Sequence, residues 1–439
     1  MNFSRHLKYY IKNPLIIGTF LLTISGALSR IIGFFYRIFL SHTIGAEGIG
    51  IYQLIFPVYA LCFSLTAAGI QTSISKFVAE VSVKKGDLTE KCYLLSGLIL
   101  SLSLSFLCSF YLYNQADFLA YHVVHEYRTA PLLRILAYAI PCGTVHACIS
   151  GYYYGIKKAT IPSLSQLLEQ IIRVVSVYLI YHVQVQDNIP ITPAIAVWGI
   201  VCGEIASALF STATVRFCTC RLYAIKKALP QVGKLAIPLT GNRVILNLFA
   251  SMEAILIPLK LREAGLSTSA ALSTFGILTG MALPLIMFPT SITNSLAVML
   301  LPAISEASAA GEQEKIKKAV SKSITYCMLF GFACTIFFFL GGKPLGITLF
   351  NNRTSGSFIM LLSFICPFLY LTSTLAAILN GLGKTLHTFF YNLASICIRL
   401  LFALFAIPIF GIKGYLWGLL VSQIFLAVSL TFSLREYIK

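Results

Sequence analysis

Nine ionisable side chains stand inside stretches that are otherwise apolar: Arg30, Arg37, Arg134, Arg173, Arg243 and Arg399, with Glu169, Glu204 and Glu253. Charge at the centre of a bilayer costs roughly 2.5 to 3.5 kcal/mol per residue on insertion scales, so each is a candidate for binding or for ion movement. In "SRIIGFFYR" seven residues separate Arg30 from Arg37, which places them within about 20° around a helix axis and about 10 Å along it. The same stripe runs back through Gly33, Gly26, Thr23 and Thr19, all small or polar, while Ile24, Leu28, Ile31, Phe35 and Ile38 point elsewhere. Such a face suits the wall of a wet cavity. Its guanidinium groups can make charge-assisted hydrogen bonds to an anion. Arg37, near one end, could instead snorkel to the headgroups.

A second polar stripe reads Thr240, Arg243, Asn247, Ser251, and it suits either cavity lining or a structural ion pair. Glu253 lies off that face and is a partner for a basic group on a neighbouring helix. Arg173 has Glu169 one turn before it, so this pair can neutralise itself. Arg399 has Ser395 in the corresponding place, which leaves its charge available. Glu169, Arg173, Glu204 and Glu253 are read as coupling groups or structural ion pairs, and Arg134 as an interface anchor.

The elements that must position these residues follow from composition. A chain of 439 residues with 57% hydrophobic and 11% charged residues is far from the soluble average, where about a quarter are charged. Apolar runs of bilayer length recur throughout. They predict twelve helices at about 15–41, 48–75, 92–113, 131–155, 161–183, 193–215, 233–259, 270–302, 321–341, 357–381, 386–410 and 413–434. The first run is too long for a signal-peptide core and is read as a retained span.

Lys and Arg test this layout, because they concentrate in alternate short loops on the cytoplasmic side. Placing both termini inside puts 21 of them in cytoplasmic segments and 6 in outer ones. The net charge of +18 is therefore mostly topology and calls for no nucleic acid.

The two halves repeat. Pro141, Gly155, Lys158 and Arg173 match Pro367, Gly381, Lys384 and Arg399 at an offset of 226, and "VWGIV" matches "LWGLL" at 219. Near the front of each half, Pro57 answers Pro284 and "ISK" answers "ISE", at offsets of 227 and 230. The expected architecture is all-α and polytopic, with two six-helix lobes, 1–225 and 226–439, around a central cavity. Helices two and eight, rich in proline and small residues, are the natural moving parts.

Enzyme-like signals are weak. "HVVHE" at His122–Glu126 is neither zinc motif, and "GLGKT" at 381–385 lacks a P-loop glycine and reads as a cytoplasmic turn. The 12 cysteines are scattered in apolar segments, so neither a metal site nor a disulfide framework is expected.

The stretch "SRIIGFFYRIFLSHTIGAEGIGIYQLIFPVYALCFSLTAAGIQTSISKFVAE", with "PAISEASAAGE" and the paired "G..K" loops, closely resembles the stage V sporulation protein B branch of polysaccharide transporters. These are relatives of the MurJ lipid II flippases in the multidrug, oligosaccharidyl-lipid and polysaccharide (MOP) exporter superfamily. The resemblance implies two MATE/MurJ-like lobes and alternating access. It implies export of an undecaprenyl-diphosphate-linked sugar or peptidoglycan precursor across the cytoplasmic membrane, and no enzyme activity.

The arginines that such flippases place in the cavity from the first helix fall on Arg30 and Arg37, and Arg243, Asn247 and Arg399 complete the candidate substrate contacts. Flippases of this kind often carry a basic residue in the eighth helix; Ser273 to Leu300 has none, so Arg243 takes that role. Longer members add two helices for the lipid tail, whereas twelve are read here. No organic cofactor is implied; Na+, H+ or the membrane potential would drive the cycle. Membrane lipids and envelope-synthesis proteins are candidate partners. The rivals are a cation-coupled drug exporter of the same superfamily, which needs carboxylates facing the cavity, and a non-transporting scaffold for envelope assembly.

Overall fold

The computed structural model describes residues 14–83, 88–215 and 222–435. Arg5, Lys8, Lys12, Lys84, Lys85, Arg216, Arg221 and Lys439, all used in the loop count, lie outside them, as do Cys218, Cys220 and the side chain of Thr19.

The described residues are helical, as their long apolar runs require. The first half comprises α1 (Pro14–Thr43), α2 (Gly45–Phe63), α3 (Gly69–Val83), α4 (Glu90–Asn114), α5 (Ala130–Ala137), α6 (Ala139–Gly155), α7 (Thr160–Gln186) and α8 (Ala194–Thr214). The second half comprises α9 (Leu222–Glu263), α10 (Thr268–Gly276), α11 (Leu283–Met287), α12 (Thr290–Ala309), α13 (Gln313–Phe350) and α14 (Arg353–Leu362). It ends with α15 (Cys366–Gly381), α16 (Thr385–Leu401), α17 (Ile407–Phe410) and α18 (Ile412–Ser433). Eleven stretches among the described residues are long and apolar enough to span a membrane, or twelve if α5 and α6, bent by 46°, form one span. This multi-pass, all-helical architecture is the one the apolar runs imply.

Contacts divide the chain into two compact units. One holds residues 1–36 and 54–248, the other 37–53 and 249–439. The seams therefore do not fall at the expected 225/226 boundary. They run inside three helices, α1, α2 and α9, so no cut at a loop separates the units.

Each unit builds its own apolar core. In the first, Ile70, Ile74 and Val78 of α3 pack with Tyr93 and Leu94 of α4 and with Ile149 and Tyr153 of α6. In the second, Ile304 of α12, Val320 of α13, Leu375 and Ile378 of α15 and Leu430 of α18 do the same.

The repeat is visible in backbone detail. A Cβ on Gly155 would stand 2.8 Å from the Ser75 carbonyl oxygen, and one on Gly381 would stand 2.8 Å from that of Leu301. Both glycines and both carbonyls are 226 residues apart. The match of "ISK" to "ISE" is thus one helical turn out of register, because the packing equates Ser75 with Leu301. The turns after these helices also coincide. Lys158 N–H donates to the Tyr153 carbonyl at 2.9 Å and Lys384 N–H to that of Leu379 at 3.0 Å, closing turns in which the preceding residue, Lys157 or Gly383, has positive φ. "GLGKT" is therefore a helix-terminating turn.

Helices two and eight are both interrupted by π turns. Ser64–Ala68 joins α2 to α3, and Ile277–Ala282 joins α10 to α11. Pro57 sits inside α2 without breaking it.

Candidate functional site

Of the three arginines proposed for an anion, Arg30, Arg37 and Arg243 all have exposed side chains. No described residue makes a hydrogen bond or ion pair to Arg30 or Arg243. Among the described side chains of α1 the buried positions are Ser25, Tyr36, Leu40 and Ser41, while Ile24, Leu28, Ile31 and Phe35 are exposed. The polar stripe is not uniform: Gly26 faces open space, whereas the Gln170 amide lies 3.2 Å from where a Gly33 Cβ would stand. Gly33 thus leaves room for a side chain of α7.

Asn247 is engaged from the side. Its amide donates to the Ser64 hydroxyl and reaches the Ala60 carbonyl at 3.4 Å. Ser64 is the first residue of the π turn after α2. Asn247, expected as a substrate contact, therefore joins α9 to that turn. Ser251, one turn further on, is buried.

Arg399 is the clearest correction. Its charge, expected to be available, is compensated: Nε lies 3.1 Å from Oε1 of Glu253. The Tyr415 hydroxyl donates to the same oxygen at 2.6 Å. The neighbour one turn before Arg399, Ser395, could not reveal this partner, which arrives from α9. Around the trio is a cavity of about 340 Å³, also lined by Gln423, Thr279 and Met287.

In the first unit, Arg173 donates to Glu169 and, at 3.3 Å, to Gln170 Oε1. Glu204 of α8 comes close because Gly199 and Gly203 let the α8 backbone sink onto α7. A Cβ on Gly203 would stand 2.9 Å from the Glu169 carbonyl, and one on Gly199 3.1 Å from that of Arg173. Small residues four apart permit such close approach between membrane helices. Tyr59 of α2 donates to Glu204 Oε1 at 2.8 Å, while Glu204 Oε2 is buried without a hydrogen bond among the described residues.

His146 of α6 completes the group, its Nδ1 4.0 Å from Glu169 Oε2. One ligand atom each from His146, Glu169 and Glu204 lie within 4.8 Å of one another, at the wall of a cavity of about 240 Å³. The sequence marks Glu169 and Glu204 as coupling groups or members of structural ion pairs. Tyr59, His146 and Tyr415 were passed over there: His146 sits in the small-residue run "GTVHACIS", and its polar character in an apolar helix was the available signal.

Of the remaining polar groups, Arg134 pairs with Asp117. Glu126 of "HVVHE" pairs with Arg128 at 2.7 Å, as expected of a structural loop.

Known proteins agree with this architecture. The chain is 28% identical over 416 residues to stage V sporulation protein B of Bacillus subtilis, covering 92% of this chain and 80% of that protein. Among solved structures, an inward-facing multidrug resistance MATE family transporter of the MOP superfamily matches with a TM-score of 0.74 at 14% identity, covering 94% of this chain and 98% of the other. An inward closed lipid II flippase MurJ matches with a TM-score of 0.72 at 14% identity, covering 95% and 87%. The model of the polysaccharide biosynthesis protein family matches residues 15–308, and the chain belongs to that family.

Proposed function

We propose that this transporter flips or exports an undecaprenyl-diphosphate-linked oligosaccharide or peptidoglycan precursor across the cytoplasmic membrane, with both termini on the cytoplasmic side, in cell-wall or spore-cortex synthesis. One observation carries the reading: Arg30 and Arg243 stand in membrane spans, exposed, with no ion-pair partner among the described residues. Uncompensated charge in a span costs energy, whereas the half-buried cations Arg173 and Arg399 both have carboxylates. The free pair is suited to an anion that arrives and leaves.

A diphosphate exchanges hydration for charge-assisted hydrogen bonds to these guanidinium groups, and Arg37 extends the same face. Because the arginines are exposed, binding stays weak enough for release. The lipid tail remains in the bilayer while the head group crosses. The names of the sporulation relative and the flippase neighbour support an envelope precursor as cargo.

The test is flipping of a fluorescent lipid-linked precursor in proteoliposomes. Arg30→Ala and Arg243→Ala should each slow it at least tenfold with insertion intact. Unchanged flipping in both would overturn the proposal. Efflux of organic cations in the same vesicles, with no movement of the lipid-linked precursor, would favour the drug-exporter alternative.

A further inference from the structure

The second unit carries a groove of about 460 Å³ between α13, α15 and α18. Its walls are apolar: Met328 of α13, Phe368 of α15, and Val428 and Phe432 of α18. Thr431 also lines it, but its hydroxyl donates to the Ala427 carbonyl at 2.7 Å, so the backbone absorbs that polar group. One end is charged. Arg435 closes the groove there, with its guanidinium carbon 4.4 Å from the centroid of the Phe432 ring. This cation–π contact rests the charge on the groove wall, where a freely snorkelling side chain would have no fixed seat. No carboxylate among the described residues pairs with Arg435.

We propose that this groove holds one phospholipid with an anionic headgroup, its acyl chain along the aromatic walls and its phosphate at Arg435. The depth fits one leaflet. Eight residues separate Ala427, which also lines the groove, from Arg435; that is about 12 Å along a helix, close to the roughly 15 Å of hydrocarbon in half a bilayer. A polyprenyl tail is several times longer. The groove is also open to lipid, since Val428 and Phe432 are 61% and 60% exposed. The charge fits as well. Lys317 precedes Met328 by eleven residues, which puts it within about 20° on the same face of α13. Ile316 and Val320 share a core with Leu430 and Leu434, so the start of α13 lies with the end of α18, and Lys317 and Arg435 mark the same end of the groove. Two cations at the headgroup level of an apolar groove favour an anionic phospholipid over a zwitterionic one.

The aromatic walls are particular to the second unit. At the offsets of 226 and 219 that align the halves, Cys142 and Ala213 stand where this groove has Phe368 and Phe432, while Arg435 keeps a counterpart in Arg216. The end charge is thus common to both repeats, and the seat beneath it is not. The inference concerns a lipid held by the fold and is independent of the lipid that is transported.

Native mass spectrometry of the delipidated full-length protein in detergent, titrated with phosphatidylglycerol or with phosphatidylcholine of the same acyl chains, tests this. Wild type should retain one phosphatidylglycerol per chain, at least tenfold more tightly than phosphatidylcholine. Arg435→Gln should remove most of that preference. Phe368→Cys and Phe432→Ala install the side chains that the other repeat carries, so they should fold, and each should weaken the binding of both lipids. Arg353→Gln, which removes an exposed cation at the start of α14, should leave the preference unchanged. Equal retention of the two lipids by wild type, or an unchanged preference in monodisperse Arg435→Gln, would overturn the proposal. So would displacement of phosphatidylglycerol by stoichiometric undecaprenyl phosphate, which would make the groove a seat for the cargo's tail.

Discussion

Arg399 and Glu253, 146 residues apart in sequence, form an ion pair in the second unit with Nε 3.1 Å from Oε1, and the Tyr415 hydroxyl donates to the same oxygen. Glu253 is buried. Removing one member of a buried pair strands the other charge at a cost of about 3–5 kcal/mol, while an apolar replacement of both is often neutral. Glu253→Leu and Arg399→Leu should therefore each lower the melting temperature of the detergent-purified protein by many degrees. The double variant should recover most of the loss.

Arg30 and Arg243 predict the opposite balance. Neither has a described partner to strand, and each carries an insertion cost of roughly 2.5–3.5 kcal/mol at full depth. Arg30→Leu and Arg243→Leu should leave thermal stability unchanged or raised while precursor flipping falls. A large loss of stability would mark these arginines as structural.

The bond from the Asn247 amide to the Ser64 hydroxyl fastens α9 to a π turn, a kind of irregularity frequent at functional sites. Asn247→Leu should cost about 0.5–1.5 kcal/mol, the net worth of one hydrogen bond, since the Ser64 hydroxyl keeps its own bond to the Ala60 carbonyl. Amide hydrogen exchange at residues 60–70 should speed up, and α6 should keep wild-type protection. Exchange unchanged at 60–70 would mean that the bond holds nothing in place.

Gly155 and Gly381 touch the carbonyls of Ser75 and Leu301 in the same way. Inserting a side chain into such a contact forces helix displacement, about 1–3 kcal/mol or more. Gly155→Leu and Gly381→Leu should be similarly destabilising, read as the fraction of monodisperse protein after heating. A marked asymmetry would show that the repeats no longer pack alike at this crossing.

The sequence by itself determined the all-helical, multi-pass architecture, because a bilayer demands recurring apolar runs and internally satisfied backbone. It also determined the duplication, through matches such as Gly155 with Gly381, and the local pair of Glu169 with Arg173, because residues four apart on a helix are neighbours whatever surrounds them.

Long-range pairing was decided by the tertiary structure alone. Arg399 has no local carboxylate, so its sequence context left its charge available, yet packing brings Glu253 from a helix nearly 150 residues away. Glu204 stands with no acid or base within a turn on α8, and only the approach permitted by Gly199 and Gly203 gathers it with Glu169, His146 and Tyr59. The seams between the units likewise run through α1, α2 and α9, since backbone continuity does not set where contacts concentrate. Spans and repeats are written in one dimension by solvent and helix periodicity; the charge balance of a cavity depends on which helices touch.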